Sequence, residues 1–141
     1  MAEDDYNKII HEVTTAYNRL IEYSEAANLE SFLSYYENSP TFLSIAADGK
    51  MSDFNEFSKA CKDYYNNLKE QKVITLRQKY HVIDNDLVIV AWTGNIIANL
   101  KNGDTVFMRD YSITSLFKKI DGNWKIIHDH ESALPPEIKK Q

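Results

Sequence analysis

Two carboxylates and two imidazoles crowd the end of the chain, in the run Trp124-Lys-Ile-Ile-His-Asp-His-Glu-Ser132. Read as a strand, its period of two sends Trp124, Ile126, His128 and His130 to one face and Asp129 and Glu131 to the other. Paired imidazoles on one strand face can ligate a metal. The only carboxylate near them on that face is Asp110, with His81 two strands away, so no convincing third ligand emerges and the histidines read as structural or interface groups. Asp129 and Glu131 offer different chemistry. A carboxylate set among apolar side chains is pushed toward its neutral form, which suits it to general acid–base work or to orienting a ligand. An ion pair with Arg109 is the plain structural alternative. No glycine-rich phosphate loop is present, and no Ser or Cys sits in a recognisable nucleophile setting.

The elements that position these groups follow from apolar spacing. Ile9, Ile10, Val13, Ala16, Tyr17, Leu20 and Ile21 form one helical stripe over 6–26, behind the acidic Asp4 and Asp5. Asn28 is the expected cap of a short helix over 29–36. Ser39-Pro40 breaks that helix, and 41–45 is a short strand. Ser52 is the expected cap of a third helix carrying Phe54, Phe57, Cys61, Tyr64 and Leu68. Cys61 reads as a small core residue. From there the chain is strand, at 73–83, 87–100, 105–119 and 123–131, with turns at Asn102-Gly103 and Asp121-Gly122. Helix, helix, strand, helix and an antiparallel meander make an α+β domain with helices over one sheet face. The single domain is expected to span 1–134, with Pro135-Pro136 and a charged tail, 135–141, outside it.

Composition bounds the partners. The 141 residues carry a formal net charge of −5, which argues against nucleic acid. The single cysteine excludes an internal disulfide and a thiolate metal site. No apolar run is long enough to cross a membrane, and the acidic N-terminus does not read as a signal peptide, so a cytoplasmic protein without cofactor or metal is expected.

Facing along the meander depends on the turns. A two-residue loop at Asn102-Gly103 sets Ala98 against Phe107, Ile96 against Arg109, Gly94 against Tyr111 and Trp92 against Ile113. At Asp121-Gly122 a two-residue and a three-residue loop give opposite facings for the last strand.

The pattern Asp-Gly-x-Trp-x-x-x-His-x-His-x-Ser at 121–132, with the element order, closely resembles the nuclear transport factor two-like superfamily. The likeness is to its SnoaL-like branch and to the association (hub) domain of calcium/calmodulin-dependent protein kinase II. The resemblance implies a curved sheet wrapped around a small-molecule cavity. The hub's facing also favours the three-residue loop, which places Asp129 and Glu131 in the cavity mouth with Trp92, Arg109, Tyr111 and Ile113. With them on the helix-covered face go Ile74, Leu76, Tyr80, Val82, Val90, Phe107 and Phe117. The outer face then holds Ile89, Ile97, Met108, Leu116, Trp124 and Ile126, too much apolar surface for water, so a homodimer through that face is expected.

Members that resemble ketosteroid isomerase use a helix tyrosine and a strand aspartate; the matching positions are Leu20 and Ser44, so that pair is missing. Tyr17 and Tyr64 remain within reach of the cavity. The hub's anion-holding positions fall on Asn55, Gly94, Ser115 and Glu131, so that set is missing too. The expected ligand-binding residues are therefore Tyr17, Asn55, Tyr64, Trp92, Arg109, Tyr111, Ile113, Asp129 and Glu131. The function this implies is binding of a small, largely apolar molecule, with a cofactor-free acid–base enzyme (isomerase, cyclase or hydrolase type) and an oligomerisation module as alternatives.

Overall fold

The computed structural model describes residues 1–141 and contains three helices and a curled, open, mixed sheet. Helix α1 (Glu3–Glu25) starts with Glu3, Asp4 and Asp5 in its first turn and buries Ile9, Val13, Ala16, Tyr17 and Leu20. Acidic side chains at that end complement the helix dipole. Helix α2 (Leu29–Leu33) is shorter than the spacing suggested and is capped by Asn28, whose side chain accepts from the Ser31 N–H. Strands β1 (Leu43–Ile45) and β2 (Met51–Ser52) precede α3 (Phe54–Asn67). The cap of α3 is Asp53 rather than Ser52. Asp53 accepts from the Glu56 N–H at 2.8 Å, and Glu56 reaches back to the Asp53 N–H at 3.1 Å. This reciprocal box satisfies two end donors that a serine one residue earlier cannot reach together.

Four long strands follow: β3 (Leu68–Asp84), β4 (Leu87–Leu100), β5 (Thr105–Ile120) and β6 (Asn123–Ser132). The spatial order is β2-β1-β6-β5-β4-β3, with β1 parallel to β6 and every other pairing antiparallel. Helix α1 lies over the sheet. Its stripe packs with Val88, Val90, Trp92, Phe117, Trp124 and Ile126 in one core cluster. No helix is long and apolar enough to cross a membrane.

Three bulges decide which residues meet that core. Each inserts one extra residue and bends its strand. In β5 the pairs run Ala98↔Val106, Ile97↔Phe107 and Ile96↔Met108, then jump to Gly94↔Tyr111 and Trp92↔Ile113. Asp110 adopts φ 48° there, and its N–H is held by Asn95 Oδ1 at 3.0 Å. The β4–β5 connection is longer than the expected two residues, with Asn99 opposite Thr105. The parity before the bulge is therefore reversed: Met108 turns toward the helices, whereas Phe107 and Arg109 turn away.

At Asp121-Gly122 the loop has two residues, both with positive φ (51° and 82°), not the three expected. Both backbones are left-handed, as a type I′ hairpin requires. Trp124 and Ile126 consequently face the core, at 7% and 0% exposure, rather than the outer face. A second bulge at Ile127, between Phe117↔Ile126 and Leu116↔His128, then restores the facing in which Asp129 and Glu131 point inward. The third bulge, at Leu76, leaves that side chain 62% exposed and Ile74 opposite Asn95, so neither joins the inner face.

The residues after Pro135-Pro136, expected outside the fold, form a further strand, β7 (Glu137–Lys139), on β5. The pair Phe107↔Glu137 lies five residues beyond Ser112↔Ser132 on both strands, so β7 continues the lane of β6. Asp104 fastens it, accepting from the Gln141 N–H at 3.2 Å and from Lys140 Nζ at 3.3 Å.

Gly94 marks the tightest point of the sheet. A Cβ there would strike the Ile74 carbonyl oxygen and come within 2.7 Å of the Trp92 ring. Gly94→Ala is expected to cost about 1–3 kcal/mol through overpacking. Urea unfolding measures the loss, and near-ultraviolet circular dichroism reports the displaced indole.

Candidate functional site

Between the helices and the sheet lies a cavity of about 350 Å³. Helix α1 contributes Tyr17 and Leu20 to its wall, and α3 contributes Phe57, Cys61 and Tyr64. The sheet supplies Trp92 and Ile96 from β4, Met108, Tyr111, Ile113 and Ser115 from β5, and Glu131 from β6. Of 23 lining residues 17 are hydrophobic, so an apolar body is what the walls fit. Trp92 is fixed by its indole N–H, which donates to Thr75 Oγ1 at 2.8 Å, and it meets Tyr111 edge-on at 6.5 Å between ring centroids.

The polar groups concentrate around β6. Glu131 lines the cavity and accepts from the Tyr111 hydroxyl at 2.5 Å. Asp129 is 1% exposed and accepts from the Ser44 hydroxyl, its register partner on β1. Burial pushes the Glu131 carboxyl up to about 7; the neighbouring Asp129 charge adds to the rise, and the Tyr111 hydrogen bond opposes it. Burial likewise pushes Asp129 up to about 6, against the Ser44 hydrogen bond and the charges of His128 and His130. Desolvation and a like charge both penalise the ionised form, so this pair exchanges protons near neutrality. The phenols of Tyr17 and Tyr111 are pushed well up, by burial first and by Glu131 next, and stay protonated donors. Tyr64, pushed up by burial to about 12, donates to Gln71 at 2.6 Å. Burial pushes the Cys61 thiol up to about 12, which leaves it unsuited to act as a thiolate nucleophile.

Tyr17, Tyr64, Trp92, Tyr111, Ile113 and Glu131 share this one cavity, with Asp129 buried on the same strand face beside it. Arg109 and Asn55 are elsewhere. Arg109 lies at the β5 bulge and faces away, over the Phe107 ring and 3.3 Å from Glu137, with 59% of its side chain exposed. Asn55 is exposed in the first turn of α3, whose inward positions are Phe57, Cys61 and Tyr64. Sequence reading missed Gln71 and Met108 as cavity residues; Gln71 precedes the expected strand start, and the β5 bulge reverses Met108. Leu20, Ser44 and Ser115 also line the cavity. Of the histidines, His128 holds the Leu43 carbonyl through Nδ1 at 2.8 Å and His130 is exposed. No group of three or more His, Cys, Asp or Glu side chains is placed to hold a metal ion.

A family model described as a SnoaL-like domain matches residues 13–136. No curated protein sequence matches the chain. Among solved structures, a putative scytalone dehydratase from Novosphingobium aromaticivorans superimposes with a TM-score of 0.81 at 8% identity, covering 96% of this chain and 91% of that one. A hexachlorocyclohexane dehydrochlorinase from Novosphingobium barchaimii gives 0.77 at 10% identity, covering 98% and 94%. The association domain of C. elegans calcium/calmodulin-dependent protein kinase II gives 0.71 at 15%, covering 93% and 99%. At these identities the likeness establishes the fold, the α+β cone of the nuclear transport factor two-like proteins.

Proposed function

The chain belongs to the SnoaL-like family, and from that premise we propose that it binds a small, largely apolar molecule, with one or two polar groups, in the cavity between helices and sheet. The observation that carries this reading is the combination of a mostly apolar wall with one carboxylate, Glu131, oriented by Tyr111. Few convergent polar groups in an apolar concavity are the usual composition of a small-molecule site. Native mass spectrometry of freshly purified protein tests it: a bound mass that is lost in Tyr111→Ala supports the reading. Protein that never carries or takes up an apolar compound argues against it.

A second reading, cofactor-free acid–base catalysis, is favoured by the placement of Glu131 in the cavity wall, where burial pushes its carboxyl up to about 7. A base is most effective when its pKa lies near the working pH. Glu131→Gln keeps the shape and removes the base. An enzyme relying on Glu131 should lose turnover by ~100-fold or more even at saturating substrate, a loss that weaker ligand binding alone does not produce.

The protein is further proposed to form a homodimer through the outer sheet face. That face keeps half-buried Ile89, Ile97, Phe107 and Leu116, while Met108, Trp124 and Ile126 belong to the inside. Leu116→Glu is expected to convert a dimer to monomer or aggregate in light scattering, and a wild-type monomer at micromolar concentration would remove the proposal.

A further inference from the structure

The cavity carries an acid at one end and no basic side chain to balance it. No Lys, Arg or His lines it, and Arg109 turns outward to Glu137. Glu131 takes a hydrogen bond from Tyr111 through Oε2, and no other protein group donates to it. When Glu131 is ionised its remaining oxygen accepts only, so the group that completes it must then bring a donor. Asp129, buried on the same face of β6, adds a second acid whose hydrogen bond comes from an uncharged hydroxyl. A ligand carboxylate would enter against both acids with no cation to meet it, and a buried like charge is costly. The walls point the same way. Tyr17, Tyr64, Trp92 and Tyr111 surround the space, and the faces of such rings attract cations.

We infer that the cavity selects a ligand whose polar end is a protonated amine carried on an apolar body, and that it rejects carboxylate ligands. The inference rests on the proposed small-molecule binding and names the chemistry of that site. The ammonium donates to Glu131, lies among the aromatic rings, and leaves the hydrocarbon portion to Leu20, Ile96, Met108 and Ile113. It also relieves the cost of an ionised Glu131 in an enclosed site, which a neutral ligand does only in part.

Three UV-silent probes of matched shape test this: 4-cyclohexylbutylamine, 4-cyclohexylbutanol and 4-cyclohexylbutanoate, titrated into the wild-type protein by calorimetry at about pH 8, where the amine is protonated and Glu131, near 7, is mostly ionised. The amine is expected to bind about tenfold or more tightly than the alcohol, and the carboxylate weakest of the three. In Glu131→Gln the amine should fall to within about threefold of the alcohol, whose affinity reports that the variant is folded. The alcohol or the carboxylate binding as tightly as the amine would overturn the inference while leaving the binding proposal standing. So would an amine preference that survives in Glu131→Gln, since the charge would then be recognised elsewhere. If none of the three binds at millimolar concentration, both the inference and the small-molecule reading fail.

Discussion

Lowering the pH from about 8 toward 5.5 is expected to stabilise the folded protein, contrary to the loss that acid usually brings. The reason lies in the two inward carboxyls of β6. Glu131 moves from an ordinary 4.5 to about 7, and Asp129 from 3.8 to about 6. For a raised pKa the native state holds the proton more tightly than the unfolded chain. The associated stability is complete below the unfolded value and is lost as the pH climbs through the folded one. For Glu131 that window runs from 4.5 to about 7, and for Asp129 from 3.8 to about 6. At roughly 1.4 kcal/mol per unit, Glu131 accounts for up to about 3.5 kcal/mol over its whole window, shared with Asp129 because the two titrate as a pair. Glu12 and Asp104 behave oppositely. Their pKa values are lowered, so they withdraw stability only as the pH falls through those lowered values, beneath the window. Urea midpoints measured across the range should therefore rise on acidification in the wild type and flatten in Glu131→Gln. A wild-type midpoint that stays level or falls between pH 8 and 5.5 would contradict the burial of this pair.

Ile126→Ala is expected to cost about 2–5 kcal/mol, because the side chain is fully buried against the α1 stripe and leaves a cavity when cut back. The neighbouring Ile127→Ala should cost less than about 1.5 kcal/mol, since Ile127 is the bulged, half-buried residue. Denaturant unfolding of the two variants distinguishes the facing directly. Equal losses, or a larger loss at Ile127, would show that the loop at Asp121-Gly122 has three residues and turns Ile127 inward.

These two isoleucines also mark where the sequence stops being legible. The helices are plain in the chain because their apolar stripes repeat over several turns, and the strands because β-branched and aromatic residues alternate between turn signals. Facing is another matter. It is counted outward from a loop, and one unrecognised extra residue inverts everything after it. Asp110 has no glycine to announce its left-handed backbone, since an aspartate tolerates that region. Counting from a two-residue loop at Asn102-Gly103 put Arg109 in the cavity and Met108 outside, the reverse of their places, and the unannounced bulge at Asp110 then cancels that error. Trp92, Tyr111 and Ile113 lie beyond the bulge and keep the pairing parity that counting assigns. At the last hairpin two departures compensate: a shorter loop and an extra residue at Ile127. Asp129 and Glu131 thus point inward by a route different from the one expected, while Trp124 and Ile126, lying between the two, are inverted. Asn55 failed for a simpler reason. Its place rested on a family position, and in this helix Phe54 and Phe57 take the inward places of the first turn and leave Asn55 exposed.

The extra residue in β6 separates the strand into two parts that can change length independently of each other's orientation. Because β6 carries one residue more than β5 requires, a single-residue deletion anywhere near Ile127 can be absorbed by straightening the strand, with Phe117 still opposite Ile126 and Ser115 still opposite Asp129. An insertion has no such reserve and must either enlarge the bulge or invert the acids and the histidines. Descendants of this chain are therefore freer to lose a residue here than to gain one. In such lineages the acidic lining of the cavity would persist through a change in strand length that an alignment would score as a gap.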